Sequence, residues 1–261
     1  MTTDDVAMLG GKVALVTGAG SGIGRATALR MALSAAKVVV ADVNQDGGRE
    51  TVDAIEQAGG DAIFVRADVT SSADVAGLVR AAVQAYGRLD CAVNNAGIGG
   101  TDQDGRRYST HECPEPLWGR IIGVNLTGVF LCLQHEIAQM LQQGGGSIVN
   151  LASIAGLVGG FGTPYVASKH GVVGMTRNIA LEYARQGIRV NAVCPGVVET
   201  PMVERVFSAI PDLAARWQET EPIGRFAAPR EIAEAIAWLC SDAASFITGI
   251  ALPVDGGWTA Q

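Results

Sequence analysis

"VTGAGSGIGRA", residues 16–26, decides the fold, because it packs four glycines into eleven positions directly after an apolar run. Glycine permits tight turns and lets a ligand approach the backbone closely. The amides that open a following helix then face outward, where the helix dipole favours an anionic group such as a pyrophosphate. Residues 12–17 before the turn (KVALVT) read as a short parallel strand buried on both sides, since its apolar residues are nearly continuous. The stretch after the turn predicts a helix over 25–34.

The same alternation continues along the chain. Strands are predicted at 38–41 (ending at Asp42), 62–65, 89–93, 147–151, 188–193 and 251–254. Helical patterns fall at 47–58, 72–86 with Ser71 or Ser72 as cap, 116–142 stopped by Gly144-Gly145-Gly146, 165–185 and 230–239. Residues 200–218 read as helical in part, with Pro201 near the start and Pro211 interrupting. Strand–helix alternation without a linker predicts right-handed crossovers and one α/β domain over 1–261, a doubly wound parallel sheet of about seven strands with helices on both faces.

Composition narrows the function classes. The 261 residues are 48% hydrophobic, enough for a substantial core. A formal charge of -7 gives no basic surplus to replace the counterions of nucleic acid, so no nucleic-acid partner is expected. No run of about twenty apolar residues lacks a charged, Asn or Gly interruption, which argues against a membrane span. The start, MTTDDVAMLGGK, has acids where a secretory signal needs positive charge, and reads as a short leader in a cytoplasmic protein. Cys91, Cys113, Cys132, Cys194 and Cys240 form no CxxC pair and suit buried free thiols, with room left for a single disulfide. His111, His135 and His170 have no ligand spacing, so no metal is expected.

Asp42, eighteen positions beyond Gly24, stands where the second strand ends. An acid there accepts from both hydroxyls of an adenosine ribose and repels a 2′-phosphate, and no Arg sits in the adjoining DVNQ segment. The cofactor predicted is therefore NAD. Asp68-Val69 after the third strand and Asn94 to Gly97 after the fourth are weaker candidates for the adenine and the passing backbone. At the other end of the chain, Tyr165 and Lys169 in "YVASK" lie four apart, on one helix face. A phenol is a poor base at neutral pH, and a nearby ammonium favours the phenolate. Ser153, after the fifth strand, can converge on the same place and donate to a substrate oxygen.

Taken together, "TGAGSGIG" (residues 17–24), Asp68, "NNAG" (94–97), Asn125 in "VNLTG", Ser153, "YVASK" and Pro195-Gly196 resemble the classical short-chain dehydrogenase/reductase family over about 11–257. The resemblance implies a Rossmann fold and hydride transfer between nicotinamide C4 and a substrate carbon. It implies Tyr165 as acid/base, Lys169 as the residue that lowers its pKa and binds the nicotinamide ribose, and Ser153 as stabiliser of the substrate oxygen. Asn125 is implied to hold a helix backbone and a water in the proton relay with Lys169. Asn95 is implied to support the sheet and nucleotide site, and Thr200 to meet the nicotinamide side. The expected cofactor contacts are Gly18, Ser21, Gly22, Ile23, Gly24, Asp42, Asp68, Val69, Asn95, Tyr165, Lys169, Pro195, Val198 and Thr200. Thr17 is expected to bond within the glycine turn.

One departure concerns Ser34-Ala35-Ala36-Lys37, where the family commonly has Gly; a left-handed Ala35 costs roughly 1–2 kcal/mol. The loops at 98–114 (with Asp102, Asp104, Arg106, Arg107, His111) and 197–226 (with Val197, Val198, Met202, Val206, Phe207, Trp217) are the substrate candidates. An apolar lid favours a neutral secondary alcohol or ketone, cyclic alcohols and diols among them, with a sugar or an acyl-carrier-bound ketone left open. The resemblance also implies a homotetramer, with contacts at 134–140 and 256–261. Two other readings stand beside this one: a nucleotide-sugar epimerase or dehydratase, which wants a larger C-terminal lobe, and an NAD-binding regulatory protein without catalysis.

Overall fold

The apolar runs become seven strands in a computed structural model that describes residues 7–102, 105–209 and 212–261. The leader up to residue 6, Asp104 and Pro211 lie outside the described residues. The strands are β1 (Val13–Thr17), β2 (Lys37–Asp42), β3 (Asp61–Arg66), β4 (Cys91–Asn94), β5 (Gly146–Leu151), β6 (Ile188–Pro195) and β7 (Ala251–Val254). They form one parallel sheet in the order β3-β2-β1-β4-β5-β6-β7, with Val16 paired to Val40 on one side and Val93 on the other. The order reverses between β1 and β4, which opens a crevice at the carboxyl ends of those strands.

The helices are α1 (Gly22–Leu33), α2 (Gln45–Gln57), α3 (Ser72–Tyr86), α4 (Glu115–Ile122), α5 (Gly128–Gln143), α6 (Thr163–Tyr183), α7 (Pro201–Ala209), α8 (Leu213–Thr220) and α9 (Pro229–Cys240). Successive strand residues point to opposite faces, so each central strand feeds two cores. Val16, Val38, Val40, Val93 and Val149 pack with Met31 of α1, Ile55 of α2 and Ile236 of α9. Leu15, Val39, Ala92, Ile148 and Val190 pack with Leu78 of α3, Leu133 of α5 and Val172 of α6. Helices thus cover both faces.

Two local features differ from the sequence reading, and a third is the departure it singled out. Helix α1 begins at Gly22 rather than residue 25, because Ser21 is extended (φ -160°) and the glycine turn is itself the helix start. Residues 116–142 are not one α-helix: a π-turn at Gly123–Thr127, holding Asn125, separates α4 from α5. After α1, Ala35 does adopt the left-handed conformation, at φ 65°. Its amide bonds to Ala32 O and that of Ala36 to Met31 O, the two bonds of a Schellman cap, with Ala where glycine is ordinarily favoured.

The segment Glu115–Gln143 has the length and apolar content of a membrane span. In this fold its inner residues Leu117, Ile121, Val129, Leu133, Ile137 and Met140 are buried within the protein.

Candidate active site

A cavity of about 560 Å³ opens at the carboxyl ends of the strands, on the crevice between β1 and β4. Most of the expected residues line it: Gly18, Ser21, Gly22, Ile23, Asp42, Asp68, Val69, Asn95, Ser153, Tyr165, Lys169, Pro195, Val198 and Thr200. Gly24 and Asn125 are not among the lining residues.

The glycine turn is fixed by close contacts. Gly18 has φ 63°, and a Cβ there would lie 2.8 Å from Ala96 Cα. A Cβ on Gly24 would overlap the Gly18 carbonyl oxygen and the Asn95 amide, so Gly24 serves packing behind the turn. Asn95 Nδ2 donates to Thr17 O at 2.9 Å and to Gly18 O at 3.0 Å, tying the end of β4 to the turn. The Thr17 hydroxyl does not bond within the turn. It accepts from the amides of Asn95 and Ala96, each at 3.1 Å, and donates to Val93 O at 3.3 Å. The reason is geometric: the β1 side chain at this position faces β4, whose amides beyond the ladder lack strand partners.

Asp42 sits at the end of β2 with its carboxylate held on two sides. Oδ2 accepts from Gly20 N and Oδ1 from Asn44 N, both at 2.8 Å. Each oxygen keeps a lone pair, so the group can still accept from a diol. The nearby guanidinium of Arg25, which sequence spacing did not flag, donates to Gly20 O, Gly47 O and Glu50 Oε2. A glycine turn against a fixed acid, in one crevice, fits the diphosphate and ribose of a dinucleotide.

At the other end of the cavity, Ser153 follows β5 in extended conformation, its Oγ accepting from Ala155 N at 3.1 Å. Tyr165 and Lys169 occupy successive turns of α6. The Lys169 ammonium lies 5.7 Å from the Tyr165 ring centroid and donates to Leu151 O at 2.8 Å. Burial raises the Tyr165 phenol above its ordinary range, and the hydrogen bond with Ser153 offsets part of this. Burial also pushes Lys169 down to about 8. Desolvation penalises both charged forms, and the ammonium is placed over the ring.

Asn125 is fully buried. Its Oδ1 accepts from Ile98 N at 2.8 Å and its Nδ2 donates to Ile98 O at 2.9 Å, so its side chain fixes the backbone after β4.

The two substrate loops divide. In the first, Asp102 accepts from Arg106 N and the Tyr108 hydroxyl, Arg106 stacks on Tyr108, and Arg107 reaches Gly160 O. None of Asp102, Arg106, Arg107 or His111 lines the cavity, whereas Ile98 does. In the second, Val198 and Met202 line it. Phe207 instead packs on Trp217 and Phe226, with centroids 5.7 and 5.3 Å away, which braces α7 against α8. Leu151 and Ala152 are lining residues the sequence reading missed, and Val203 and Arg205 on α7 lie in the 197–226 loop without having been singled out. Their signal was position alone, each lying just at or beyond the end of a strand or at the start of α7. All five cysteines are free, and no cluster of metal-ligating side chains occurs among the described residues.

Comparison with known proteins agrees with this architecture. A family model described as enoyl-(acyl carrier protein) reductase matches residues 18–259. A 2,5-dichloro-2,5-cyclohexadiene-1,4-diol dehydrogenase of Sphingobium indicum is 45% identical over 254 residues, spanning 97% of this chain and 98% of that protein. A cyclohexanol dehydrogenase of Acinetobacter sp. is 44% identical, spanning 96% of each. The crystal structure of levodione reductase superposes with a TM-score of 0.91 at 38% identity, covering 97% of this chain and 99% of that one. Strand order, glycine turn and near-complete coverage by such relatives agree: this chain belongs to the short-chain dehydrogenase/reductase family.

Proposed function

We propose that the protein is an NAD-dependent oxidoreductase that interconverts a neutral cyclic secondary alcohol and its ketone. The observation that carries this reading is one cavity lined at one end by Asp42 and the glycine turn and at the other by Ser153, Tyr165 and Lys169. The nicotinamide ring, when bound, supplies or accepts the hydride. Tyr165 gives its phenolic proton to the carbonyl oxygen in reduction and takes a proton from the alcohol in oxidation. Ser153 turns its single O–H from the phenol to the same substrate oxygen, so that both hydroxyls meet on one point. Lys169, fixed on Leu151 O, holds an ammonium beside the phenol and stabilises the phenolate as the proton leaves. Asn125 acts from behind by holding Ile98 at the cavity wall.

Substrate class rests on two supports. Ile98, Val198 and Met202 give the cavity an apolar wall, and Asp102, Arg106 and Arg107 of the 98–114 loop are engaged elsewhere. Relatives named for cyclohexanol and for a cyclohexadienediol act on cyclic alcohols. Asp42 supports NAD, because a 2′-phosphate would meet its carboxylate. We further read the protein as a cytoplasmic homotetramer without nucleic-acid or membrane partners. Its free thiols suit a reducing compartment. The tail packs Trp258 on Phe161 of the same chain, 5.7 Å between centroids, near the Tyr165 end of the cavity.

The test is turnover. Purified protein with NAD and a panel of cyclic and open-chain secondary alcohols is expected to produce NADH absorbance, with cyclohexanol-like substrates favoured and NADP weaker. Cofactor binding without turnover across the panel would overturn the enzymatic reading, and a preference for NADP would overturn the cofactor assignment.

A further inference from the structure

Beneath the cavity, α5 turns a carboxylate inward. Glu136 is fully buried, on the same inner stripe as Leu133, Ile137 and Met140. Its Oε2 accepts from Asn94 Nδ2 at 3.0 Å, and the same amide nitrogen donates to Asn150 Oδ1, also at 3.0 Å. Asn150 Nδ2 continues the chain to Thr176 Oγ1 on α6. Within this chain of bonds two buried oxygens lack a hydrogen-bond partner, Glu136 Oε1 and Asn94 Oδ1. They belong to the two side chains that one hydrogen bond already joins.

A primary amide and a carboxylic acid can pair through two bonds, N–H to the acid carbonyl and O–H to the amide carbonyl. One proton on Glu136 Oε1 would complete that ring and satisfy both orphaned oxygens. An ionised Glu136 instead faces a second acceptor with no donor between them, a costly state for buried polar groups. We propose that Glu136 is held as a neutral acid, closing a two-bond ring with Asn94, and that it is a positioning residue for the ends of β4 and β5. Those ends matter to the site. Asn94 precedes Asn95, which grips the glycine turn, and Asn150 precedes Leu151, whose carbonyl holds Lys169.

The surroundings support this. The groups facing Glu136 from β4 and β5, Asn94 and Asn150, are uncharged, and Thr176 ends the same chain of bonds on α6. Helix α3 contributes apolar residues, Val75 beside Cys132, and Leu78 and Val79 with Leu133 and Ile137. The titratable neighbour on α5 is Cys132, whose thiol is pushed up chiefly by burial. His135 faces Ser72 on the exposed side. Burial pushes Glu136 up from 4.5 to about 7, with the Asn94 bond opposing.

The sign of the linkage follows. Between 4.5 and about 7 the folded protein keeps a proton that the unfolded chain has lost, so this group's stabilisation falls as pH rises through that window. Glu136→Gln places an amide N–H where the acid has O–H and cannot ionise. Its melting temperature is expected to match wild type near pH 5 and to exceed it by about 5 °C near pH 9. A Gln variant less stable than wild type at both pH values, or an offset independent of pH, would overturn the proposal. Wild type offers a second measurement that needs no variant: the infrared C=O stretch of a protonated carboxylic acid, present near pH 6 and lost as pH rises past about 7. Its absence near pH 6 overturns the proposal even if the variant does not fold. The positioning half rests on the dinucleotide reading above. Equilibrium NAD binding by wild type is expected to weaken several-fold between pH 6 and 9 relative to Glu136→Gln, and coincident profiles would refute positioning. The thermal and infrared results stand whether or not any alcohol is turned over, so the two readings fail separately.

Discussion

Tyr165 and Asp42 show how single side chains divide the work of the proposed site. The phenol is half-buried and desolvation holds it above its ordinary pKa, so in the proposed reaction its hydrogen bond with Ser153 and the Lys169 ammonium act together as the proton moves. Tyr165→Phe keeps the ring's packing and removes only the hydroxyl. Turnover is expected to fall at least about 10²-fold while NAD affinity, read by titration calorimetry, stays near wild type. Retained turnover would remove Tyr165 from the proton path. Asp42 is held by two backbone amides and so is oriented before any ligand arrives. Asp42→Ala is expected to lower the NAD over NADP ratio of kcat/KM by roughly tenfold or more, since a charge-assisted hydrogen bond is lost and a repulsion relieved. An unchanged ratio would detach cofactor choice from this residue.

At the scale of elements, the sequence made the repeating units readable and hid the irregular ones. The strand ending in Asp42, the capped α3 and the Tyr165–Lys169 helix were legible because periodicity and spacing state them directly. The π-turn around Asn125 was not: "GVNLTG" contains no proline, and the helical pattern runs through it unbroken. Glu136 was overlooked because a glutamate in an amphipathic helix ordinarily reads as solvated. Its spacing from Val129, Leu133, Ile137 and Met140 nonetheless places it on the inward stripe. The end of α1 was legible as a conflict, an Ala where the chain wants a left-handed residue, and the observed φ of 65° resolves it as strain. Ala35→Gly relieves that strain but loosens the unfolded chain, for a net gain of about 1 kcal/mol and a melting temperature about 3 °C higher. Lower stability of the glycine variant would show that the cap is not strained.

For the molecule as a whole, the exposed apolar residues give the proposed tetramer a geometric basis. One group lies on the helical layer: Phe130 of α5, 48% exposed, and Leu181 of α6, 83% exposed. Another lies beside the open edge of the sheet at β7: Trp238 of α9, with Phe246 and Ile250 in the connection to that strand. An unpaired edge strand and a fully exposed Phe246 are liabilities unless something covers them. A closed homo-oligomer covers a patch by pairing it with itself across a two-fold axis, so two separate patches give two axes and four copies. The segment 134–140 fits this only in part, because Glu136, Ile137 and Met140 point into the core. Two substitutions separate the axes. Leu181→Asp and Phe246→Asp are each expected to halve the mass measured by light scattering, and the double variant to yield monomers that keep the sheet's circular dichroism. A single variant that stays tetrameric would exclude its patch from the assembly. If wild type is itself monomeric, the self-pairing argument falls and those patches need another occupant.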